Sequence, residues 1–370
     1  MALAKAPRAD GGIWKVAIVG CGIGRAHIAG YRSHPDKFSV SALCDVDHKR
    51  LAAVGNEFSI VRRAGSIDDV LCMEDVDIVD ICTPPALHVA LTLAALEAGK
   101  EVVCEKPLAG SLADLDRIVA AEKSAVGRVM PVFQYRFGNG LQKAKRIIDL
   151  GFAGKPYRAT VETAWKRNRE YYETPWRGRR ETELGGVLLT HAIHSHDLLT
   201  YLMGPVASVF ARVTTRVNPV EVEDCAVASL VLQSGALASL AATLGSHKEI
   251  SRLRLCFEHV TFESCEKPYA AGDEPWQIIP ASPEAADRIA EALSDYRSVP
   301  SGFEGLLSAY HSALMTGAAL PVALADARQS LELVTALYHS AATGTVVNLP
   351  IGPAHPHYRV ANGQGPDLGR

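Results

Sequence analysis

The sequence predicts an α/β protein in which a doubly wound parallel sheet is followed by a second, α+β domain with a large, open and mostly antiparallel sheet. In the first 136 residues, short apolar runs alternate with helical stretches, which is the pattern of parallel β-α-β units. Farther along, long segments of alternating polar and apolar residues replace this pattern. A chain of 370 residues is long enough for two domains.

These changes of pattern give the predicted domain boundaries. Residues 1–12 are expected to form a flexible N-terminal arm, and residues 351–370, which are rich in proline, glycine and histidine, a C-terminal tail. Between them, residues 13–133 form the parallel domain and residues 134–350 form the α+β domain. We assign substrate binding and oligomerisation to this second domain.

In the first domain, near-continuous apolar runs predict strands that are buried on both faces of the sheet. The predicted strands are KVAIVG (15–20), FSVSALCD (38–45), VDIVDICTPP (76–85), EVVCEKP (101–107) and MPVFQYR (130–136). The helices begin at the glycine-rich turn after the first strand, at residue 48, at residue 86 and at residue 112. This regular alternation is what predicts the parallel sheet.

In the second domain, strands are predicted at residues 155–166, 205–217 and 253–264, and residues 222–245 read as a hairpin with Ser234-Gly235 at its turn. Helices are predicted at residues 140–151, 192–202 and 325–344. Small and apolar side chains recur along one face of the hairpin, namely Ala226, Ala228, Leu230, Ala236, Ala238 and Leu240. Such a face needs a cover, which predicts a homodimer or homotetramer packed sheet to sheet.

The composition argues against several classes of partner. With a net charge of −3 and a pI of about 6.5, no basic face is expected, so nucleic acid and anionic membranes are poor partners. The eight cysteines form no CxxC pair, which indicates free thiols in a reducing compartment. Because the N-terminus lacks an apolar segment and no run approaches the ~20 residues of a membrane span, we expect a cytoplasmic protein.

The segment VGCGIGRAH (19–27) predicts a dinucleotide site, because it follows a strand and opens a helix. Gly20 permits the tight turn, Gly22 lets the backbone approach a pyrophosphate, and the helix N-terminus beyond Ile23 attracts phosphate. The match is imperfect, since Gly24 comes one residue early and Arg25 occupies the place expected for the third glycine.

Asp45 ends the next strand, 25 residues after Gly20. A carboxylate at this position can accept hydrogen bonds from a ribose diol and would repel a 2′-phosphate, which favours NAD over NADP. The basic residues His48, Lys49 and Arg50 keep NADP possible, although a solvated first helical turn explains them as well.

Two further segments lie at carboxyl ends of strands, where open parallel sheets bind ligands. They are CTPPALH (82–88) and EKPLA (105–109), and two charges at a buried strand end are unusual for structure alone. An ordinary strand-end ion pair is the alternative. The predicted cofactor-binding residues are Gly20, Gly22, Ile23, Gly24, Asp45, Thr83, Pro84, Pro85, His88, Glu105 and Lys106.

The segment LLTHAIHSHD (188–197) holds three histidines. Proton transfer, a metal site and a polar helix start are the alternatives. His191 and His194 could share a helix face, but His196 points elsewhere and no other Cys/His/Asp cluster has metal spacing. No metal is therefore predicted, and proton transfer by His194 is favoured.

Taken together and in order, these motifs resemble the glucose–fructose oxidoreductase / inositol dehydrogenase / rhizopine catabolism (Gfo/Idh/MocA) family. The glycine-rich turn, Asp45, TPP-x-x-H and EKP are followed by YRF (135–137) and by GG-x-L-x-x-x-x-x-H-x-x-D (185–197), and the similarity covers roughly residues 13 to 350. The resemblance implies a Rossmann domain, an open antiparallel sheet, and NAD(P)-dependent oxidation or reduction of a sugar, cyclitol or related polyol.

By position in the family motifs, Lys106 would touch the substrate hydroxyl and the nicotinamide ribose, and His194 would lie over the reacting alcohol. Family members commonly carry an aspartate where this chain has Thr190. Threonine cannot take a proton at neutral pH, so Lys106 and His194 would handle the proton, with help from His191 or Tyr135. The resemblance also implies that Asp197 orients its neighbours.

Aromatic side chains beside arginines suit a polyhydroxyl ring, so Trp176 and Arg177 join Tyr135, Thr190 and His191 as predicted substrate-binding residues. An incidental surface loop is the alternative. Two other functions also remain open. Thr190 in place of the carboxylate would suit a non-catalytic NAD-binding sensor, and the same fold could serve a lyase or hydrolase that keeps NAD bound for transient oxidation.

Overall fold

The computed structural model describes residues 12–360, which form two compact units. The first unit contains the chain up to Ala109, Ala113–Val132 and Phe303–Ala327, and the second contains Gly110–Leu112, Phe133–Gly302 and the chain from Arg328 onward. Apart from residue 12, the predicted N-terminal arm lies outside the described residues, and so do residues 361–370 of the predicted tail.

The first unit is built on a six-stranded sheet. Its strands are β1 (Trp14–Val19), β2 (Phe38–Cys44), β3 (Arg63–Ala64), β4 (Ile78–Ile81), β5 (Glu101–Cys104) and β6 (Val129–Pro131), with helices α1 (Gly24–Arg32), α2 (His48–Glu57), α3 (Ile67–Leu71), α4 (His88–Glu97) and α5 (Leu112–Ser124). All neighbouring strands are parallel, in the order β3-β2-β1-β4-β5-β6. Every residue of β4 and β5 is buried, and the order confirms the predicted doubly wound sheet.

The second unit is built on an eight-stranded sheet. Its strands are β7 (Pro156–Lys166), β8 (Val206–Thr214), β9 (Cys225–Leu232), β10 (Leu237–Thr243), β11 (Gly245–Phe257), β12 (Val260–Glu263), β13 (Gln277–Pro280) and β14 (Val347–Asn348). Their order is β13-β12-β11-β7-β10-β9-β8-β14. Only β10 and β7 pair in parallel, and every other neighbouring pair is antiparallel, which confirms the predicted mostly antiparallel sheet.

The helices of the second unit flank this sheet. They are α6 (Asn139–Asp149), α7 (Arg180–Glu183), α8 (Ile193–Met203) and α9 (Pro283–Leu293), while α10 (Gly302–Thr316) lies almost wholly in the first unit and α11 (Leu324–Thr343) begins in the first unit and continues in the second. A π-helical turn at Val187–His191 immediately precedes α8. The predicted helix around residues 192–202 is therefore present, with a distorted start.

Helix α10 packs within the first unit, although the sequence places it inside the predicted second domain. The ring of Phe303 lies 4.4 Å from the ring of His27 on α1, measured between centroids. The Nε2 atom of His34 lies 3.0 Å from the carbonyl oxygen of Glu304. Packing between segments that are 270 residues apart in sequence leaves no local pattern from which it could be predicted.

The apolar face that was predicted to await a partner subunit is covered within the chain. Five of its residues are buried and Ala228 is half-buried, because α8 packs against β7 and β11 while the π-helical turn packs against β9 and β10. The opposite face exposes Val227, Val231 and Leu237 instead. The prediction that this face is left open for a partner subunit was therefore wrong, because alternation along a strand does not reveal which side the helices cover.

Two predicted strands end earlier than expected because their last residues turn. The strand that was predicted to run to Arg136 ends at Pro131, and a 3-10 turn covers Gln134–Arg136. The run predicted to end at Pro85 is a strand only over Ile78–Ile81, and Pro85 begins another 3-10 turn.

The eight cysteines all lie within residues 12–360 and are free thiols. Across this described range, we find no helix long and apolar enough to cross a bilayer.

Candidate active site

The glycine-rich turn of the first unit leaves no room for side chains at two positions. Gly20 has a φ of +101°, and a Cβ there would lie 2.5 Å from the carbonyl oxygen of Cys82. A Cβ on Gly24 would lie 2.7 Å from the side chain of Ile18, so this early third glycine still permits close packing of helix on strand. Arg25, which occupies the expected glycine position, pairs with Glu57 at 3.0 Å on the surface.

Asp45 accepts hydrogen bonds from two directions. The backbone N–H groups of Cys21 and Asp47 donate to it at 2.8 and 2.9 Å, and Arg50 donates through Nε and Nη2, both at 2.8 Å. Burial raises the pKa of the Asp45 carboxyl, but the hydrogen bonds from Arg50 and the backbone outweigh it and the net pKa is lowered. Arg50 is thus more than part of a solvated helical turn, because it neutralises the carboxylate that was predicted to bind the ribose.

His88 ties the two predicted loops at the carboxyl edge of the sheet together. Its Nδ1 lies 2.8 Å from the carbonyl oxygen of Pro107, and its Nε2 lies 2.8 Å from the carbonyl oxygen of Thr83. The ring is only 1% exposed, which suits a residue that holds both loops. Pro84 precedes the short turn that Pro85 begins, so both predicted prolines shape the loop from which His88 reaches across.

The EKP segment carries two charged residues in different surroundings. Glu105 is buried, and one of its oxygens accepts from the backbone N–H of Lys106 at 3.2 Å. Its other oxygen lies 3.1 Å from Nε2 of His27, whose Nδ1 lies 2.8 Å from Asp80. Lys106 itself is half-buried, and its bond to Pro107 is cis. The sequence analysis did not identify His27 or Asp80 as members of this site.

In the second unit, His194 is enclosed by aromatic rings. Its ring stacks on that of Tyr135 with centroids 4.2 Å apart and planes at 19°, and Phe133 meets it edge-on at 5.9 Å. His194 and Tyr135 are 3% and 6% exposed, respectively. The motif at the domain junction and the histidine of α8 therefore come together, as the substrate-site prediction requires.

An ion pair fixes this arrangement. Arg136 donates to both oxygens of Asp197, at 2.7 Å from Nε and 2.5 Å from Nη2, and both side chains are buried. The guanidinium also lies 4.4 Å from the centre of the Tyr201 ring. Because Asp197 follows His194 by three positions on α8, the pair locks the helix to the segment that carries Tyr135.

Thr190 and His191 belong to a hydrogen-bonded chain. The Thr190 hydroxyl donates to the carbonyl of Gly186 at 2.9 Å, so it accepts from Nδ1 of His191, which lies 2.8 Å away. The hydroxyl of Tyr171 lies 3.0 Å from the other ring nitrogen of His191. The π-helical turn ends at His191, so Thr190 and His194 do not share one regular α-helical turn.

Buried Glu223 holds the π-helical turn in place. Its carboxyl accepts from the backbone N–H groups of Gly186 and Leu188 at 3.0 and 2.9 Å, and from the hydroxyl of Tyr338 at 2.8 Å. Burial raises its pKa to about 7 despite these hydrogen bonds. No local pattern in the sequence links Glu223, which lies just before β9, to a turn 35 positions earlier, so its role could not be predicted.

The predicted aromatic and arginine residues form one cluster. The guanidinium of Arg177 lies 3.8 Å from the centre of the Tyr171 ring and 4.6 Å from that of Trp176. Arg167 approaches Tyr171 at 4.8 Å. Both Trp176 and Arg177 are half-buried, and burial lowers the pKa of Arg177. The cluster joins the histidine chain, since Tyr171 contacts His191.

Two comparisons place the chain among known proteins. The N-terminal model of the GFO/IDH/MocA family, described as an oxidoreductase family with an NAD-binding Rossmann fold, matches residues 14–133, and the family's C-terminal model matches residues 141–263. In structure, the WlbA dehydrogenase from Chromobacterium violaceum, solved with NADH and UDP-GlcNAcA, is 30% identical, with a TM-score of 0.84 over 95% of this chain and 99% of that one.

This chain belongs to the GFO/IDH/MocA family. Among curated members, a D-apiose dehydrogenase of Rhizobium rhizogenes is 26% identical over 90% of this chain and 97% of its own length. A myo-inositol 2-dehydrogenase of Thermotoga maritima is 29% identical over 60% of this chain and 66% of its own length. The predicted family, its NAD cofactor and the enzyme class, an NAD(P)-dependent oxidoreductase acting on CH–OH groups, are confirmed.

The three histidines of the π-helical turn and α8, namely His191, His194 and His196, have separate surroundings. His196 is fully buried, has no hydrogen-bond partner on either nitrogen, and burial lowers its pKa to about 3. His196 is therefore a buried packing residue. Among residues 12–360, the group whose potential metal-ligand atoms converge within 4.8 Å is instead His27, Asp80 and Cys82. The catalytic and binding roles assigned to individual residues stay predictions.

Proposed function

We propose that this protein interconverts a secondary alcohol and a ketone on a sugar, cyclitol or related polyol. The observation that carries the proposal is the buried His194 ring stacked on Tyr135, in a family of NAD-binding oxidoreductases. Imidazole is the side chain best suited to exchange a proton near neutral pH. An aromatic surface beside it suits the C–H face of a polyol ring.

Lys106 and His194 divide the proton chemistry in this proposal. The alcohol proton moves to His194 while the carbinol hydrogen leaves with its electron pair, so that a C=O bond forms. The Lys106 ammonium stabilises the negative charge that develops on oxygen. Bound NAD would supply the hydride acceptor. Thr190 takes no proton, and its hydroxyl instead orients His191, which lines the substrate site.

The residues of the first unit fit a dinucleotide. A Cβ at Gly20 would fill the turn, and α1 opens directly after it with free space around Gly22. We assign the ribose contact to Asp45 and the loop contacts to the TPP and EKP segments. NAD is the proposed cofactor, because the Asp45 carboxylate can accept hydrogen bonds from a ribose diol. Because Arg50 pairs with Asp45 and weakens its repulsion of a 2′-phosphate, NADP is the alternative to test beside it.

The substrate contacts are assigned to the second unit. Arg177 offers a planar donor fork for hydroxyl or carboxylate oxygens, and Trp176 offers a flat apolar face. The relatives act on sugars and cyclitols according to their names. A small polyol or sugar is therefore the substrate class we propose.

Kinetics test the catalytic assignment. Polyols and sugars are screened by NADH absorbance with NAD and NADP in parallel, and Lys106→Ala and His194→Ala are then compared with wild type. Each is expected to lower kcat/KM by ~100-fold or more, with cofactor binding retained in His194→Ala. Losses within about threefold would overturn the assignment. Cofactor binding without hydride exchange with any polyol would support a non-catalytic NAD-binding sensor. Turnover with no net oxidation or reduction, with NAD that does not dissociate, would support a lyase or hydrolase.

The exposed side of the second sheet supports self-association. Val227, Val231 and Leu237 project from adjacent strands β9 and β10, and Val231 pairs directly with Leu237. We propose a homodimer or homotetramer through this face, in the cytoplasm, where free thiols persist. Light scattering after size exclusion is expected to show an oligomer, and Leu237→Glu with Val231→Glu should yield monomer. A wild-type monomer at micromolar concentration would contradict the proposal.

A further inference from the structure

A histidine in the first unit lies between two buried carboxylates. His27 is 1% exposed, with Nδ1 2.8 Å from Asp80 and Nε2 3.1 Å from Glu105, and both acids are themselves buried. Asp80 is the penultimate residue of strand β4, and Glu105 directly follows strand β5, which neighbours β4 in the sheet. The two acids and the histidine thus form a bridge at the carboxyl edge of the sheet, beside Lys106.

The two hydrogen bonds of this bridge require two protons. When both carboxyl groups are ionised they only accept hydrogen bonds, so both protons lie on the ring of His27, which is the imidazolium form. Burial alone lowers the pKa of His27, but the charge of Asp80 outweighs it and the net pKa is well above the ordinary value. The bridge therefore places one positive charge between two negative charges.

The other groups around His27 do not neutralise the acids. The thiol of Cys82 lies 3.5 Å from Asp80, and burial raises its pKa, so it stays a neutral donor. Tyr31 is also buried beside Asp80, and its pKa is raised by burial and by that charge. From helix α10, Phe303 presents an apolar ring at 4.4 Å. Cys82, Tyr31 and Phe303 therefore add no positive charge beside His27.

The bridge reaches the peptide backbone of Lys106. The oxygen of Glu105 that does not face His27 accepts from the Lys106 N–H at 3.2 Å. On the other side of the lysine, the carbonyl of Pro107 is held by His88 at 2.8 Å. The backbone around Lys106 is therefore fixed from both directions by groups that are anchored on buried histidines.

We propose that His27 is a positioning residue, which as an imidazolium between Asp80 and Glu105 holds Glu105 in the orientation that fixes Lys106. The inference rests on the proposed function, in which Lys106 stabilises the developing alkoxide. It adds a charged residue on α1 to the set on which the reaction depends. His27 itself acts through Glu105, so its loss should impair the chemical step more than cofactor binding.

Two variants of His27 separate charge from hydrogen bonding. His27→Asn removes the charge and the donor toward Glu105, whereas His27→Gln keeps a longer amide that can reach Glu105. We expect kcat to fall about tenfold in His27→Asn, with partial recovery in His27→Gln and Kd for NAD within about threefold of wild type. His34→Asn is the matched control, because His34 is also buried and bonds only the carbonyl of Glu304 in α10; its kcat should stay at the wild-type value.

Two measurements do not depend on turnover. In ¹⁵N-histidine NMR at pH 8.5, the imidazolium signal of His27 is expected in wild type and should be missing in His27→Asn. The rate at which trinitrobenzenesulfonate modifies Lys106, followed by mass spectrometry, should change at least threefold in His27→Asn and remain unchanged in His34→Asn. These results would support the bridge even if no polyol is turned over, which separates it from the proposed function.

Three outcomes would overturn the inference. The first is a neutral His27 at pH 8.5. The second is a folded His27→Asn protein with wild-type kcat and wild-type Lys106 reactivity, which would make the bridge purely structural. The third is a stoichiometric transition metal that is lost in His27→Asn, since His27, Asp80 and Cys82 could then serve as its ligands and the proton would be displaced.

Discussion

His27 and His196 are buried to the same degree, 1% and 0% exposed, yet their pKa values are shifted in opposite directions. His27 in the first unit faces a carboxylate from each ring nitrogen, and its pKa is raised. His196 in the second unit has no hydrogen-bond partner on either nitrogen, and its pKa is lowered to about 3. Burial by itself disfavours the charged form in both, so the neighbouring groups determine the charge.

The same contrast separates the predicted site residues of the first unit from those of the second. The carboxyl edge of the first sheet combines acids, a cation and Lys106. Around His194 and Tyr135, the second unit instead uses stacked rings, and its buried ion pair between Arg136 and Asp197 lies beside them. Charged side chains dominate the carboxyl edge of the first sheet, whereas aromatic rings surround the His194 imidazole in the second unit.

Replacing His27 by leucine should give the largest effect on stability. It leaves two carboxylates buried without their cation, and such changes cost about 3 to 5 kcal/mol. The free energy of unfolding, measured with urea, should fall by that amount. The penalty should shrink as pH rises above ~6.5, because a raised folded pKa makes the wild-type bridge stabilising below the ordinary pKa and less so as pH climbs through the folded value.

His34→Leu is the control for this loss, since it removes one hydrogen bond to a carbonyl and should cost about 1 to 3 kcal/mol. If His27→Leu were no more destabilising than His34→Leu, the charged bridge would be refuted.

Glu223 provides an intermediate case, because it accepts three hydrogen bonds but has no cation. Its pKa is raised to about 7 from 4.5, so the folded state holds its proton more tightly than the unfolded chain does. The contribution of protonated Glu223 to the free energy of unfolding is therefore present below pH ~4.5 and is lost as the pH rises through ~7. As the pH rises from ~4.5 to above ~7, the stability of Glu223→Gln relative to wild type should rise by about 3 kcal/mol in total.

Thermal melts from pH 4.5 to pH 8 would measure this change, with the exposed Glu173→Gln as control. Parallel curves for wild type and Glu223→Gln would show that the carboxyl is ionised throughout and that its hydrogen bonds outweigh burial.

His196→Leu should give the smallest effect. Leucine has a similar volume and removes two buried nitrogens without partners, so the free energy of unfolding should change by about 1 kcal/mol or less and in the stabilising direction. Urea unfolding would measure it, with kcat/KM as a check on His194 nearby. A loss above about 2 kcal/mol would indicate that His196 makes a polar contact after all, for example to a buried water.

The sequence predicted the parallel order of the first sheet and the motifs at its edge because both follow from local patterns. An aspartate inside the apolar run VDIVDI and a histidine on α1 were visible signals, but their pairing depends on β4 and β5 being neighbours. The π-helical turn before α8 could not be predicted, since Glu223 of a distant segment stabilises it. Which face of the second sheet is covered also depends on helices packed from elsewhere.

The return of residues 303–327 to the first unit has a consequence for biosynthesis. A ribosome that has made the first 133 residues has delivered the whole parallel sheet, but not the helix whose Phe303 lies against the His27 ring. Until α10 emerges, one flank of α1 stays uncovered in the nascent chain. A gene truncated after the sixth strand should therefore yield an incomplete, aggregation-prone fragment, and an autonomous NAD-binding module would need α10 grafted back.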